Sequence, residues 1–213
     1  MKKLVFLFGI LFLYTVVNGQ IKKGTLLFGV QGNYYGLTEN SATVVNDKNS
    51  TIAFAVGRAF RENNVYGISV GYLAHAATGN QYYVGGYSST GDLNTWSISI
   101  YNRRYKKLMN ELNLFHEIGV GFSYSKKNFD YSTDIKQKDN GNSVFLYNSL
   151  GLDYRVHKKV HAELLLPNLV RLSYFTSKIE YLDSHVVTTN NSSIKLNTGL
   201  GFSSLAIGVR VML

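Results

Sequence analysis

The sequence predicts an all-β fold, an eight-stranded antiparallel up-and-down transmembrane β-barrel, and three observations carry that prediction. Apolar residues recur with period two in eight separate segments, the pattern of strands with two unlike faces. The connections between segments alternate strictly between short and long. One face of each segment is greasy while the other offers glycine, serine and alanine with scattered charges. That is the reverse of a soluble ligand-binding barrel, whose apolar face points inward, and it matches a barrel with lipid outside and a polar interior.

The segments follow in order. Residues 24–36 set Leu26, Phe28, Val30 and Tyr34 against Thr25, Gly29, Gln31, Asn33 and Tyr35, and 51–61 set Ile52, Phe54, Val56 and Phe60 against Ala53, Ala55, Gly57, Ala59 and Arg61. Residues 65–76 oppose Tyr66, Ile68, Val70 and Tyr72 to Gly67, Ser69 and Gly71, and 94–105 oppose Trp96, Ile98 and Ile100 to Ser97, Ser99, Tyr101 and Arg103. Residues 111–124 oppose Leu114, Ile118, Val120 and Phe122 to Asn113, Glu117, Gly119 and Gly121. Residues 143–156 oppose Val144, Leu146, Leu150 and Leu152 to Tyr147, Ser149, Gly151, Asp153 and Arg155. Residues 159–176 oppose Val160, Leu164, Val170, Leu172 and Tyr174 to His161, Glu163 and Arg171. Residues 194–213 end with Leu205, Ile207, Val209, Val211 and Leu213 against Ala206, Gly208, Arg210 and Met212. In this last segment Leu196, Leu200 and Phe202 are even-numbered while the apolar residues from Leu205 onward are odd, so a bulge is expected near Ser203. Pro167 cannot donate to a ladder and predicts another irregularity.

Residues 62–64, 106–110 and 157–158 are the short connections; 37–50, 77–93, 125–142 and 177–193 are long and rich in Asn, Ser, Thr, Gly and Tyr. Short turns on one side and long loops on the other are the plan of an up-and-down barrel, and each segment exceeds the roughly 9–11 residues that cross a bilayer at a tilt.

The chain begins with Lys2 and Lys3, an apolar run from Leu4 to Val17, and then Asn18 and Gly19, which reads as a secretory signal peptide over 1–19 with the barrel domain over 20–213. Losing the two lysines takes the formal charge from +9 to +7. The sequence has no cysteine, so thiolate metal sites, cysteine nucleophiles and disulfides are excluded. One proline against 20 glycines, 16 tyrosines and 12 phenylalanines favours strands over helices.

Taken with the signal peptide, the eight two-faced segments, the alternating connections and the final strand "SLAIGVRVML", the mature chain resembles the small outer-membrane β-barrel family of Gram-negative bacteria, of the OmpA transmembrane-domain and OmpX kind. The resemblance implies residence in the outer membrane and recognition of the C-terminal strand by the barrel assembly machinery. Such proteins typically end in an aromatic residue, where this chain has Leu213. The likeness is architectural and carries no catalytic residues with it.

An eight-stranded barrel is just wide enough for side chains to fill it, so the charges Arg61, Arg103, Glu117, Asp153, Arg155, Glu163, Arg171 and Arg210 are expected in the lumen, as a paired plug or as the lining of a gated pore. Basic residues crowd the short-turn side, at Arg58, Arg104, Lys106, Lys107, Lys158 and Lys159 among others. They are expected to meet anionic phospholipid heads or cell-wall material, or to anchor the interface by snorkelling. Location excludes nucleic acid. Tyr34, Tyr72, Trp96, Tyr124 and Tyr174 toward the loops, and Phe60, Tyr66 and Tyr154 toward the turns, form two aromatic girdles.

Signs of chemistry are sparse: no catalytic residue, cofactor site or metal site is expected. His161 and Glu163, two apart on one face, have the spacing of an acid/base or metal pair but lack an evident third ligand, and His75 has no serine beside it for a lipid A modifying enzyme. His116 and Asn148 fall on the otherwise apolar face, which implies either a local register change or a lateral contact. The stretch "NQYYVGGYSSTG" places Tyr82, Tyr83 and Tyr87 among small polar residues, a paratope-like composition, so an external ligand or host surface is expected at the long loops. The function expected is a non-enzymatic outer-membrane barrel with a filled lumen, with a narrow solute channel and a lipid A modifying enzyme as alternatives.

Overall fold

A computed structural model describes residues 21–40, 44–79, 89–130, 136–182, 186–198 and 205–213. They form nine antiparallel strands: β1 (Leu26–Asn40), β2 (Val44–Arg61), β3 (Asn64–Gly79), β4 (Ser89–Lys107), β5 (Leu112–Asp130), β6 (Lys136–His157), β7 (Val160–Leu182), β8 (Val186–Asn197) and β9 (Ala206–Met212). Each strand from β1 to β7 pairs with the next, β7 pairs with β9, and β9 pairs with β1, so the sheet closes on itself. Among the described residues this closure is made on the turn side, where β9 joins β7 to β1 and leaves neither with an open edge. No helix among the described residues is long and apolar enough to cross a membrane.

The eight segments hold, and the last is divided in two. β8 pairs with the loop-side half of β7 from Arg171 to Leu182, and β9 with its turn-side half from Val160 to Leu165. Ile194 and Leu196 on β8 and Ile207 and Val209 on β9 all face outward. The phase therefore changes between even and odd numbers, as the sequence indicates; Ser203 itself lies outside the described residues. Opposite this break the β6–β7 register shifts between Asn148 and Leu150, leaving Pro167 to Leu169 out of the ladder with Asn168 at φ 54°. The backbone N–H of Asn168 donates to Ser149 Oγ at 3.1 Å and is thereby satisfied inside the bulge.

The turn-side boundaries agree with the sequence reading, and the loop-side boundaries do not. Of the connections 37–50, 77–93, 125–142 and 177–193, most residues are strand: β1 runs to Asn40 and β2 starts at Val44, while β6 and β7 reach 22 and 23 residues. Beyond the apolar belt both faces of a strand are polar, the inner one still burying residues such as Gln137, Ser143 and Ser177. The ladder then continues on Asn, Ser, Thr and Lys without the two-face contrast that periodicity detects. Tyr82, Tyr83 and Tyr87 lie outside the described residues.

Inside and outside are sorted by parity. Phe54, Ile68, Ile98, Val120, Phe122 and Leu146 are exposed on the outer face, flanked by Tyr34, Trp96, Tyr124 and Tyr174 toward the loops and Phe60, Tyr66 and Tyr154 toward the turns. Tyr72 packs on Trp96 with centroids 4.5 Å apart and donates its hydroxyl to Asn94 at 2.6 Å. On the turn side Asn63 adopts φ 58°, a conformation that asparagine tolerates well, and the two residues Glu62 and Asn63 make the β2–β3 hairpin. Asn63 also exchanges hydrogen bonds with Ile21, which closes the turn-side end of the interior together with Leu27 and Val65.

Candidate functional site

Strand register assembles the interior charges. Arg103 stands opposite Glu117 across β4–β5, Asp153 opposite Glu163 across β6–β7, and His161 opposite Arg210 across β7–β9. These six side chains are all buried. Arg103 Nε donates to Glu117 Oε2 at 2.7 Å and its Nη1 to Glu163 Oε1 at 2.6 Å. Arg210 grips the same carboxylate, Nε to Oε1 at 2.5 Å and Nη2 to Oε2 at 3.1 Å. Glu117 Oε1 accepts the Tyr147 hydroxyl at 3.0 Å. Two guanidiniums thus share Glu163, and a second carboxylate balances their charge, the arrangement that makes burial of ions tolerable.

Aromatic rings complete the plug. The Arg103 guanidinium lies 4.1 Å from the Phe115 centroid, and Phe115 packs against Tyr105 at 5.7 Å. Phe115 faces Gly151 across the β5–β6 ladder, and Arg210 faces Gly29 across β1–β9. A Cβ at Gly29 would lie 3.1 Å from Arg210 Cζ, so the missing side chain is what lets the guanidinium reach the centre of the interior.

His161 does not pair with Glu163. Its Nδ1 is 3.0 Å from Asp153 Oδ2, which also accepts Asn113 Nδ2 at 2.9 Å, while Glu163 is held by the two arginines. No group of three metal-ligating side chains occurs among the described residues. Arg155 and Arg61 differ from the lumen placement. Arg155 sits at the turn-side end, half-exposed, with Nη2 donating to Glu111 Oε1 at 2.7 Å. That hydrogen-bonded contact holds the Glu111 carboxyl below its usual range. Arg61 is exposed because a register shift between Ala59 and Arg61 turns the end of β2 out of the barrel.

On the loop side of the plug lies a cavity of about 550 Å³, walled by Asn33, Asn49, Thr95 and Ser97, with Glu117 and Tyr147 in its floor. Arg171 stands in its wall, its guanidinium 3.9 Å from the Phe145 centroid, and makes no ion pair among the described residues. The interior is therefore a polar vestibule above a floor of paired charges. Sequence reasoning missed the part played by Tyr105, Phe115, Phe145 and Asn113. Their odd numbers place them on the inner face, but their ladder partners, Phe115 for Tyr105, Gly151 for Phe115, Gly121 for Phe145 and Asp153 for Asn113, are visible only once the register is known.

His116 and Asn148 remain on the outer face. The β4–β5 and β5–β6 ladders run through both without a shift, His116 pairing with Arg104 and Leu150, and Asn148 with Ile118. On its other side, however, Asn148 is the last β6 residue before the β6–β7 register shift, so the expected local irregularity is present beside Asn148 and absent at His116.

A closed eight-segment barrel with an apolar outer face and a charge-filled interior defines the class as a β-barrel of the outer-membrane type. No protein-family model and no curated protein sequence matches the chain. Among solved structures it is similar to a major outer membrane protein from Thermus thermophilus, with a TM-score of 0.50 and 12% identity over 89% of this chain and 99% of that one. It is also similar to OprG from Pseudomonas aeruginosa, with a TM-score of 0.46 and 11% identity over 90% and 97%. Neisserial surface protein A gives a TM-score of 0.44 and 12% identity over 89% and 97%. The first of these likenesses shows the fold.

Proposed function

We propose that the chain is a non-enzymatic outer-membrane β-barrel, of the same plan as the OmpA transmembrane domain and OmpX, whose barrel is closed to solute and whose loop-side strands and loops meet external partners. The observation that carries the closed lumen is the shared Glu163: Arg103 and Arg210 converge on it from opposite parts of the wall, at side-chain exposures of 1–2%. A carboxylate held at this depth by two guanidiniums has no room for a solute column beside it. The outward apolar belt supports residence in a bilayer, the terminal strand β9 supports handling by the barrel assembly machinery, and the tall polar strand ends support contact outside the membrane. Exported chain is expected in the membrane fraction and to run faster in SDS before boiling than after, because closed strands must separate together; recovery as a soluble periplasmic protein would refute the membrane reading.

In planar bilayers the purified barrel is expected to give no steady openings. Steady wild-type conductance that changes in Arg103→Gln or Glu117→Gln would replace the closed barrel with a narrow channel.

A further inference from the structure

The outer wall of the barrel carries a groove of about 620 Å³, lined by Val56, Ile68, Ile100, Ile118, Val120 and Leu146 on β2 to β6. Three of its lining residues are glycines packed against rings on the inner face. Gly57 and Gly67 place no side chain between their backbone and the Tyr101 phenol, where a Cβ would lie 2.8 and 2.4 Å from the Tyr101 hydroxyl, and Gly119 lies equally close to the Tyr147 ring.

The foot of the groove is polar, on a face that is otherwise apolar. One cross-strand row runs Arg58, Tyr66, Asn102, Ile118, and the row nearer the turns runs Asn64, Arg104, His116. Asn102 donates to Asn64, fixing both amides between the arginines. Arg58 and Arg104 are exposed and make no ion pair among the described residues. Two unpaired cations beside an apolar slot, at the level of the turn-side aromatic residues Phe60 and Tyr66, complement one kind of molecule. Snorkelling would place arginines here singly; it does not explain a hollow above them or the histidine and the asparagine pair among them.

We propose that this groove binds a phospholipid of the periplasmic leaflet with an anionic headgroup, one acyl chain lying over Ile68, Ile100 and Val120 and the phosphate resting between Arg58 and Arg104. The inference rests on the membrane reading above. It gives His116 a role as the third polar neighbour of the headgroup, across the ladder from Arg104.

The test uses the full mature chain, delipidated in detergent, with lipid adducts counted by native mass spectrometry after adding dioleoyl phosphatidylglycerol or dioleoyl phosphatidylcholine. One phosphatidylglycerol is expected to bind about tenfold more tightly than phosphatidylcholine, in keeping with two interfacial cations. Arg58→Gln with Arg104→Gln should remove that preference, and Ile68→Trp should weaken both lipids by filling the slot. A preference that survives the arginine substitutions, or that is lost equally in Lys158→Gln with Lys159→Gln at the β6–β7 turn, overturns the proposal. Each variant is first shown to keep its heat-dependent mobility. A folded, embedded barrel with no lipid preference refutes the groove alone, whereas a soluble chain refutes the membrane reading and the groove together.

Discussion

Replacing Glu163 by methionine should destabilise the barrel by about 3–5 kcal/mol, the cost of leaving buried charge without its partner. The residue is the only contact that Arg210 makes to an acid within 4.0 Å among the described residues, and it is one of two such contacts for Arg103. Neither arginine has solvent to turn to, since both are 1% exposed. Glu163→Gln keeps the shape and some hydrogen bonds but still strands two positive charges, so it should fall short of wild type by a large part of the same amount. The informative comparison is Glu163→Met with Arg210→Met. Removing both ions together leaves the Arg103–Glu117 pair intact and the centre apolar, and burying neither ion avoids the desolvation that the pair must offset. The double variant should therefore recover more than about 1.5 kcal/mol of what the single variants lose in sum, a coupling within the range seen for residues in one network. Urea titration of the heat-dependent band gives these differences directly. Losses that simply add would mean that the two groups act independently and that the plug is not a single unit.

The parts of this architecture that were legible in the sequence are those governed by contrast between faces. Lipid on one side and a narrow interior on the other force a two-residue period through Phe54, Val56, Ile98, Ile100, Leu146 and Leu172, so the eight segments, the turn-side boundaries and most of the inner parity could be read, although the last segment is two strands. The broken phase of the last segment was legible for the same reason, because Leu196 and Ile207 cannot both face outward on an unbroken strand. Where the contrast ends, so does the reading. The loop-side halves of β6 and β7 are polar on both faces, the inner one burying Gln137, Ser143, Ser173 and Ser177, and their pairing continues without apolar alternation. In the interior, Arg103 and Glu117 could be assigned to the same side from parity, but their partners could not. The strand offsets decide that His161 meets Asp153, that Arg210 lies over Gly29, and that Arg155 falls at the rim within reach of Glu111. Arg61 was misplaced because one bulge of a single residue reverses inside and outside.

The same offsets pair glycines with aromatic rings, and two of these pairs should respond to substitution in opposite ways. At Gly119 the three nearest obstacles to a Cβ are all atoms of the Tyr147 ring, 2.4 to 2.6 Å away. At Gly67 the obstacles are the Tyr101 ring and the carbonyl oxygen of Val56, each at 2.4 Å. A side chain can swing aside, whereas Val56 is fixed by its place in the β1–β2 and β2–β3 ladders. Gly67→Ala is therefore expected to cost about 3 kcal/mol, the upper end for forcing atoms into a filled interior, and Gly119→Ala about 1 kcal/mol less, since Tyr147 can yield at the loss of its hydrogen bond to Glu117. Background substitutions separate the two causes. In a Tyr147→Ala barrel, Gly119→Ala should lose most of its cost, because the three nearest obstacles go with the phenol. In a Tyr101→Ala barrel, Gly67→Ala should still destabilise, because the carbonyl remains. If removing Tyr101 rescues Gly67→Ala completely, the wall between β2 and β3 can shift outward at little cost. The Tyr101 ring, rather than the Val56 carbonyl, would then be what excludes a side chain at Gly67.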